Sequence, residues 1–256
     1  MSSWSTQAAE NKIVITGSST IAPVAAEIAK RFEERNPGVR VDVQSGGSSR
    51  GITDARSGLA DIGMASRALK DEEADLKGFT IARDGVGIIL NAANSVSALT
   101  DQQIIDIFTG KITDWSAVGG HSGKITVVNK AEGRSTLELF LHYFKLKASA
   151  IRAQVIIGDN QQGIKTVAGN AAAIGYVSIG TAEYEAGAGT PIKLLPMSGI
   201  SASVENVRNG TFPLARPLTL VTREEPAGAV KAFIDTARSA DVHDLIKEQY
   251  FVPLGP

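Results

Sequence analysis

Near its start the chain reads Lys12-Ile13-Val14-Ile15-Thr16-Gly17-Ser18-Ser19-Thr20-Ile21. Ile13, Val14 and Ile15 are a short β-branched run of the kind strands use, and Gly17 ends it. From Ser19 the period changes, with Ile21, Val24, Ile28 and Phe32 on one helical face, until Asn36-Pro37-Gly38 stops the helix. Strand, glycine turn and Ser/Thr-rich helix start then recur. Val39, Val41 and Val43 alternate as a strand before Gly46-Gly47. Further strands are expected over 60–65, 80–90, 124–129, 174–178 and 218–222. Thr100-Asp101-Gln102-Gln103 has capping-box spacing ahead of Ile104, Ile105 and Phe108. Leu137, Phe140, Leu141 and Phe144 form another helical stripe, and two helices over 227–239 and 240–249 close the chain. Such alternation predicts an α/β fold. No fixed-period repeat occurs, which excludes a solenoid. The softest stretches, 182–189 and 198–210, are too short for a free linker, so two domains would share the chain by crossing back and forth.

Composition narrows the function. The 256 residues suffice for one large or two modest domains, and 43% hydrophobic with 21% charged residues is ordinary for a folded protein. Lys plus Arg number 26 and Asp plus Glu 27, a net charge of −1 that gives no sign of a nucleic-acid or membrane-binding coat. Any ion must therefore be held by local groups. With no cysteine, disulfides, Cys-based metal sites and thiol chemistry are excluded, and the three histidines lack metal-ligand spacing. No cofactor is expected. No apolar run is long enough to span a membrane. Met1–Gln7 lacks a basic n-region and an apolar h-region and reads as a polar leader; an export signal would have been removed. Gly119–Ile125 misses the Walker A spacing by one residue and has Ile where Ser or Thr is needed.

One device is used three times. Gly17-Ser18-Ser19-Thr20, Gly46-Gly47-Ser48-Ser49-Arg50-Gly51 and Glu132-Gly133-Arg134-Ser135-Thr136 each follow a strand and open a helix. Helix starts present unpaired N–H groups and partial positive charge, hydroxyls add donors, and glycine lets backbone approach a ligand. Singly, each is an ordinary N-cap. Converging at the carboxyl ends of strands, they would cage a tetrahedral oxyanion. Arg67 after the third strand could grip two anion oxygens, or it could pair on the surface with Asp71 or Glu72. Gly47-Ser48-Ser49-Arg50-Gly51 also fits the G-x-S-x-G elbow of serine hydrolases, with His243 downstream but no oxyanion segment ahead.

From Lys12 onward the chain resembles the PstS family, the phosphate-binding proteins of bacterial ABC phosphate importers. Ile15–Thr20 with Pro23, Gly47-Ser48-Ser49 with Gly51-Ile52, and Asp61–Arg67 are similar to its three phosphate loops. Ile107–Ile112 with Trp115 and Gly119-Gly120, Ala173–Val177, Pro213–Leu218 and Tyr250–Leu254 follow in the family's order. The resemblance implies a type II periplasmic binding protein fold: two α/β domains joined by crossing strands, with a ligand cleft between them. The crossings fall near 84–87 and 211–216, giving one domain of 10–86 plus 214–256 and a second of 87–213. It implies phosphate ligands at Ser19, Thr20, Ile21 (through its N–H), Ser48, Ser66 and the Glu132–Thr136 loop. This sequence departs from many members in having Arg67 where they carry a carboxylate, and Lys130 where Arg is common. Arg67 and Arg134 are therefore expected to neutralise the dianion, Ser135 and Thr136 to donate, and Glu132 to accept the proton of HPO4(2−), which sulfate lacks. The expected protein is a non-enzymatic, periplasmic or otherwise extracytoplasmic monomer that delivers inorganic phosphate to membrane permease subunits and binds no nucleic acid. The alternatives are sulfate or another oxyanion as ligand, a phosphate sensor without a transporter, or a serine hydrolase acting through Ser49.

Overall fold

A computed structural model describes residues 11–255, and the Met1–Gln7 leader lies outside them. In chain order the elements are β1 (Asn11–Gly17), α1 (Ala22–Arg35), β2 (Val39–Ser45), α2 (Ser48–Ser57), β3 (Ile62–Ala65) and β4 (Lys77–Asn91). There follow α3 (Asp101–Phe108), β5 (Thr126–Lys130), α4 (Ser135–Tyr143), β6 (Val155–Ile157), α5 (Asn160–Ala168), β7 (Ala173–Ser178) and α6 (Ile179–Gly187). The last elements are β8 (Ile192–Leu194), α7 (Val204–Arg208), β9 (Ala215–Thr222), α8 (Gly228–Arg238), α9 (His243–Glu248) and β10 (Val252–Pro253).

The strands lie in the order β2-β1-β3-β9-β4-β7-β5-β6, with β8 and β10 also pairing with β4. β1 runs parallel to β2 and β3, and β5 runs parallel to β6 and β7, as helix crossovers require. Between these two parallel groups β9 and β4 run antiparallel. The 15 residues of β4 serve both groups: Lys77–Gly85 pairs with β9, and Val86–Leu90 pairs with β7. At the changeover Asp84 lies directly opposite Arg216.

Each half of the sheet has its own core. In the first, Ile13, Ile15 and Met64 pack under α1 and α8, where Phe32 and Phe233 meet edge to face at 5.4 Å. The second is aromatic: Phe108, Phe140 and Tyr176 cluster, with the Phe140 and Tyr176 rings stacked at 4.2 Å. β3 and β7, covered on both faces, are buried at every residue, which is why their sequences show no alternation.

The expected strands and helices are present, with ends shifted by a few residues. The 240–249 helix differs in kind, since Ala240–Val242 is a 3-10 turn leading into α9. β6, β8 and β10 have no individual sequence signal because they have only two or three residues each. α5, α6 and α7 also went unanticipated. α5 opens on the polar Asn160-Gln161-Gln162 under an Asp159 cap, whose carboxylate accepts the Gln162 N–H at 2.8 Å. α6 and α7 fall largely in the two small-residue stretches, and α6 also depends on a glycine just ahead of its stretch. A Cβ on Gly180 would come within 2.6 Å of the Tyr250 carbonyl oxygen.

The glycines flanking Ser49 have structural reasons of their own. Gly47, at φ 100°, turns the chain from β2 into α2. Gly51 has an ordinary helical backbone, but a Cβ there would lie 2.8 Å from the carbonyl oxygens of both Thr16 and Met64. α2 therefore rests directly on β1 and β3. We expect Gly51→Ala to cost about 1–3 kcal/mol in urea unfolding, whereas Ser57→Ala on the exposed face of the same helix changes stability by less than about 0.5 kcal/mol.

Candidate functional site

Four helix starts face one small cavity between the two halves of the sheet. Its lining is Ser18, Ser19 and Thr20 ahead of α1, Gly47 and Ser48 at α2, Arg134, Ser135 and Thr136 at α4, and Gly158 ahead of α5. Ser66 after β3 and Lys130 at the end of β5 complete it. The starts of α1, α2 and α4 have no side-chain cap, so the partial positive charge of these termini is directed into the cavity. The lining contains two cations and no carboxylate.

Hydroxyls pack tightly around this space. Ser18 Oγ donates to Ser66 Oγ at 3.0 Å, Ser66 Oγ and Ser135 Oγ lie 2.5 Å apart, and Ser48 Oγ accepts the Ser66 N–H at 3.2 Å. Behind them sits the buried cross-strand pair. Arg216 Nε and Nη2 donate to Asp84 Oδ2 at 3.1 and 2.8 Å. Nη1 of the same guanidinium reaches Thr136 Oγ1 at 3.0 Å and Ser66 Oγ at 3.4 Å, and Nη2 reaches Thr20 Oγ1 at 3.4 Å. The other carboxylate oxygen, Asp84 Oδ1, accepts from Ser178 Oγ and the Gly180 N–H. Every strong acceptor site on Asp84 is thus occupied, while Arg216 orients three hydroxyls of the cavity wall.

Lys130 is only 3% exposed and donates through Nζ to Asn160 Oδ1 at 3.0 Å. Asn160 in turn donates to Thr20 Oγ1 at 3.2 Å, linking the two halves. Burial, reinforced by the nearby positive charges of Arg216 and Arg134 and only partly opposed by Asp159, pulls the Lys130 ammonium down to about 7.

Of the expected site residues, Ser19, Thr20, Ser48, Ser66, Arg134, Ser135 and Thr136 all line this cavity. Three do not. Arg67 is buried but committed elsewhere: Nη1 and Nη2 grip Glu73 at 2.7 and 2.8 Å, and Nε lies 2.9 Å from Glu138. A guanidinium with two carboxylate partners has no face left for an anion in the cavity. Neither Asp71 nor Glu72 is its partner. Glu132 is exposed and outside the lining, in the turn where Gly133 has φ 77°. Ile21 directs its N–H to Ser18 Oγ at 3.3 Å and is likewise outside the lining.

The structure adds Ser18, Gly47, Lys130 and Gly158 to the lining, and Arg216, Asp84 and Asn160 behind it. A signal for two of these was available: Asp84 and Arg216 are charged residues that fall in the two expected crossing segments. Ser49 has no hydrolase environment. Its hydroxyl donates to Glu138 at 3.1 Å, and His243 lies in a different cavity with Arg83, Arg208 and Lys247.

An α/β clamshell whose halves close on a donor-lined, carboxylate-free cavity defines a solute-binding protein for a small anion. Residues 4–240 match the family described as the PBP superfamily domain. A phosphate-binding protein PstS of Bacillus subtilis is 28% identical over 252 residues, covering 96% of this chain and 82% of that protein. A putative phosphate ABC transporter substrate-binding protein from Clostridium perfringens, solved with bound phosphate, superimposes with a TM-score of 0.88 at 34% identity, covering 96% of this chain and all of the other. An ABC-type phosphate transport receptor from Vibrio cholerae gives 0.77 at 30% identity, over 94% of this chain and 99% of that one. The chain belongs to the PBP superfamily and, within it, to the PstS family.

Two stability predictions follow from the charges. Asp84→Ala leaves Arg216 buried without its counter-ion and should cost about 3–5 kcal/mol in denaturant unfolding. For Glu73, burial works to raise the carboxyl pKa, but the hydrogen bonds from the Arg67 side chain and the Lys70 N–H outweigh it and hold the pKa below the usual range. A carboxylate with a depressed folded pKa stabilises fully above its unfolded pKa, and the effect is lost as pH falls through the folded pKa. Glu73→Gln should therefore be clearly less stable than wild type at neutral pH, with the gap in melting temperature narrowing as the pH drops below about 4.

Proposed function

We propose that this chain captures inorganic phosphate between its two halves and hands it to the permease subunits of an ABC importer, acting outside the cytoplasm and carrying out no chemistry on the ligand. The observation that carries this reading is the cavity itself. Four helix starts, seven hydroxyls, Lys130 and Arg134 all bring donors or positive charge to one space, and the lining contains no carboxylate to repel an anion. A compact oxyanion satisfies such a site, whereas an apolar or cationic solute does not. The Clostridium relative, similar along nearly its whole length, was solved with phosphate.

Opening and closing would take place about β4 and β9, the two strands that continue from one half to the other. The contacts around the cavity that join the halves support this because they are polar. Besides the Ser66–Ser135 and Thr20–Asn160 contacts, the Ser49 N–H donates to the Gly133 carbonyl at 3.1 Å, and Lys70 Nζ lies 3.2 Å from Glu138. Water can replace each of these when the cleft opens, at little net cost. Permease subunits would then distinguish the closed, loaded form from the open one. A clamshell of this kind works as a monomer.

Titration calorimetry of ligand-stripped protein tests the reading. Phosphate should bind one-to-one, and Thr136→Val or Ser135→Ala should weaken it by roughly 10- to 100-fold, the effect of losing a hydrogen bond to a charged group. Arg67→Lys should have a much smaller effect, because Arg67 faces Glu73 and Glu138. Sulfate binding with phosphate silent would replace phosphate with the other oxyanion as the ligand.

A further inference from the structure

Among the buried cations near the cavity, Lys130 is treated differently from the rest. Arg216 has Asp84, and Arg67 has Glu73 and Glu138. Lys130 makes no salt bridge among the described residues; its Nζ has only the neutral Asn160 Oδ1 at 3.0 Å. On balance the groups facing it from the packed elements disfavour an ammonium; the Asp159 carboxylate favours it and offsets the others only in part. From β9 comes the Arg216 guanidinium and from the cap of α4 the Arg134 guanidinium, both positive, and the N-termini of α4 and α5 add partial positive charge. From the cap of α5 comes Asp159, whose carboxylate already holds the Gln162 N–H. On β4, Asp84 is occupied by Arg216, Ser178 and Gly180. On β7 the Tyr176 hydroxyl accepts the Lys130 N–H, and burial raises its own pKa, so it brings no charge. Glu132, two residues along the chain, faces solvent.

We propose that Lys130 is the proton-accepting residue of the anion cavity: unprotonated in the anion-free protein, it becomes an ammonium as the dianion enters, so that each binding event takes up one proton from solvent. This rests on the phosphate reading above and is a different role from the one expected of Glu132, which was to accept the ligand's own proton. The step is balanced. The Nζ lone pair forms an N–H bond to a proton released by water or a buffer acid. The neutral amine, that proton and HPO4(2−) thus become an ammonium bound to HPO4(2−), which reduces the added charge from −2 to −1. The physical reason is a reversal of local sign. Without an anion, Lys130 sits among positive groups in a low-dielectric site. With one, the nearest charge is the dianion, which favours the ammonium.

The size of the effect follows from linkage. A lysine that titrates at about 7 is about nine-tenths unprotonated at roughly pH 8. If the bound dianion holds it protonated, uptake there approaches 0.9 proton per anion. Affinity should fall by close to tenfold between about pH 8 and pH 9. Calorimetry at about pH 8 in two buffers of different ionisation enthalpy reads the uptake directly, using phosphate, which is mostly the dianion there, and sulfate, which does not titrate. Wild type should take up nearly one proton with either anion it binds, and Lys130→Arg, whose charge is permanent, should bind phosphate with almost none. Because the variant could bind poorly, the second measurement needs no variant binding. In protein labelled with carbon-13 at lysine Cε, one resonance should titrate near neutrality, be missing from Lys130→Arg, and move to higher pH when phosphate is added. Phosphate binding by wild type without proton uptake, or lysine resonances that all titrate near 10, overturns the role of Lys130 and leaves phosphate capture standing. No phosphate binding at any pH overturns phosphate capture itself, and the resonance in the anion-free protein still reports whether Lys130 is neutral.

Discussion

The buried ion pair between Asp84 and Arg216 organises the site. It is a cross-strand pair at the point where β4 leaves one half of the sheet for the other, with both side chains fully buried. A pair like this adds little stability compared with well-packed apolar residues, because both ions lose their hydration. Its value lies in position. The one guanidinium holds Thr20, Ser66 and Thr136, which come from the loop ahead of α1, the loop after β3 and the first turn of α4, while the carboxylate ties down the start of α6 through Ser178 and Gly180. Hydroxyls that would otherwise rotate freely are pre-oriented, so less ordering has to be done when a ligand arrives.

Around this pair the charges are divided between structure and binding. Arg67 and Arg216 are neutralised by carboxylates and maintain the architecture; Lys130 and Arg134 line the cavity. The division explains how a protein of net charge −1 can hold an anion. A short-range field from uncapped helix starts and Arg134, joined by Lys130 when it is protonated, is enough in a low-dielectric pocket, and the global charge matters little there. It also shows why Arg67, following the third loop, resembled a ligand in the sequence. Its partner Glu73 comes from a 3-10 turn six residues on, and Glu138 comes from α4 in the other half. Neither approach is visible in local spacing.

The fold was legible because its main units obey local rules. β-Branched runs, glycine stops, helical stripes and capping boxes placed β1 to β5, α1, α3 and α4 close to where they lie. The units that escaped are held by tertiary contacts: two- and three-residue strands, and α6, which is covered by β4, β8, the Tyr250 backbone and the Phe251 ring. The same holds for the site. Seven of the ten expected ligand residues line one cavity, and all but Ser66, which follows β3, are the Ser, Thr and Arg of turns whose composition announces a helix start.

The sequence by itself determined which loops could hold an anion, because Gly and Ser/Thr at helix starts follow from backbone chemistry that each segment carries alone. It also determined the class of fold, through alternation and through the ordered family motifs. Only the tertiary structure decided which basic side chains line the cavity. The charge state of Lys130, the commitment of Arg67 and the exposure of Glu132 depend on what packs beside them from elements far away in the chain. Coulomb and desolvation energies depend on distance through space and on burial, and neither is set by position along the sequence.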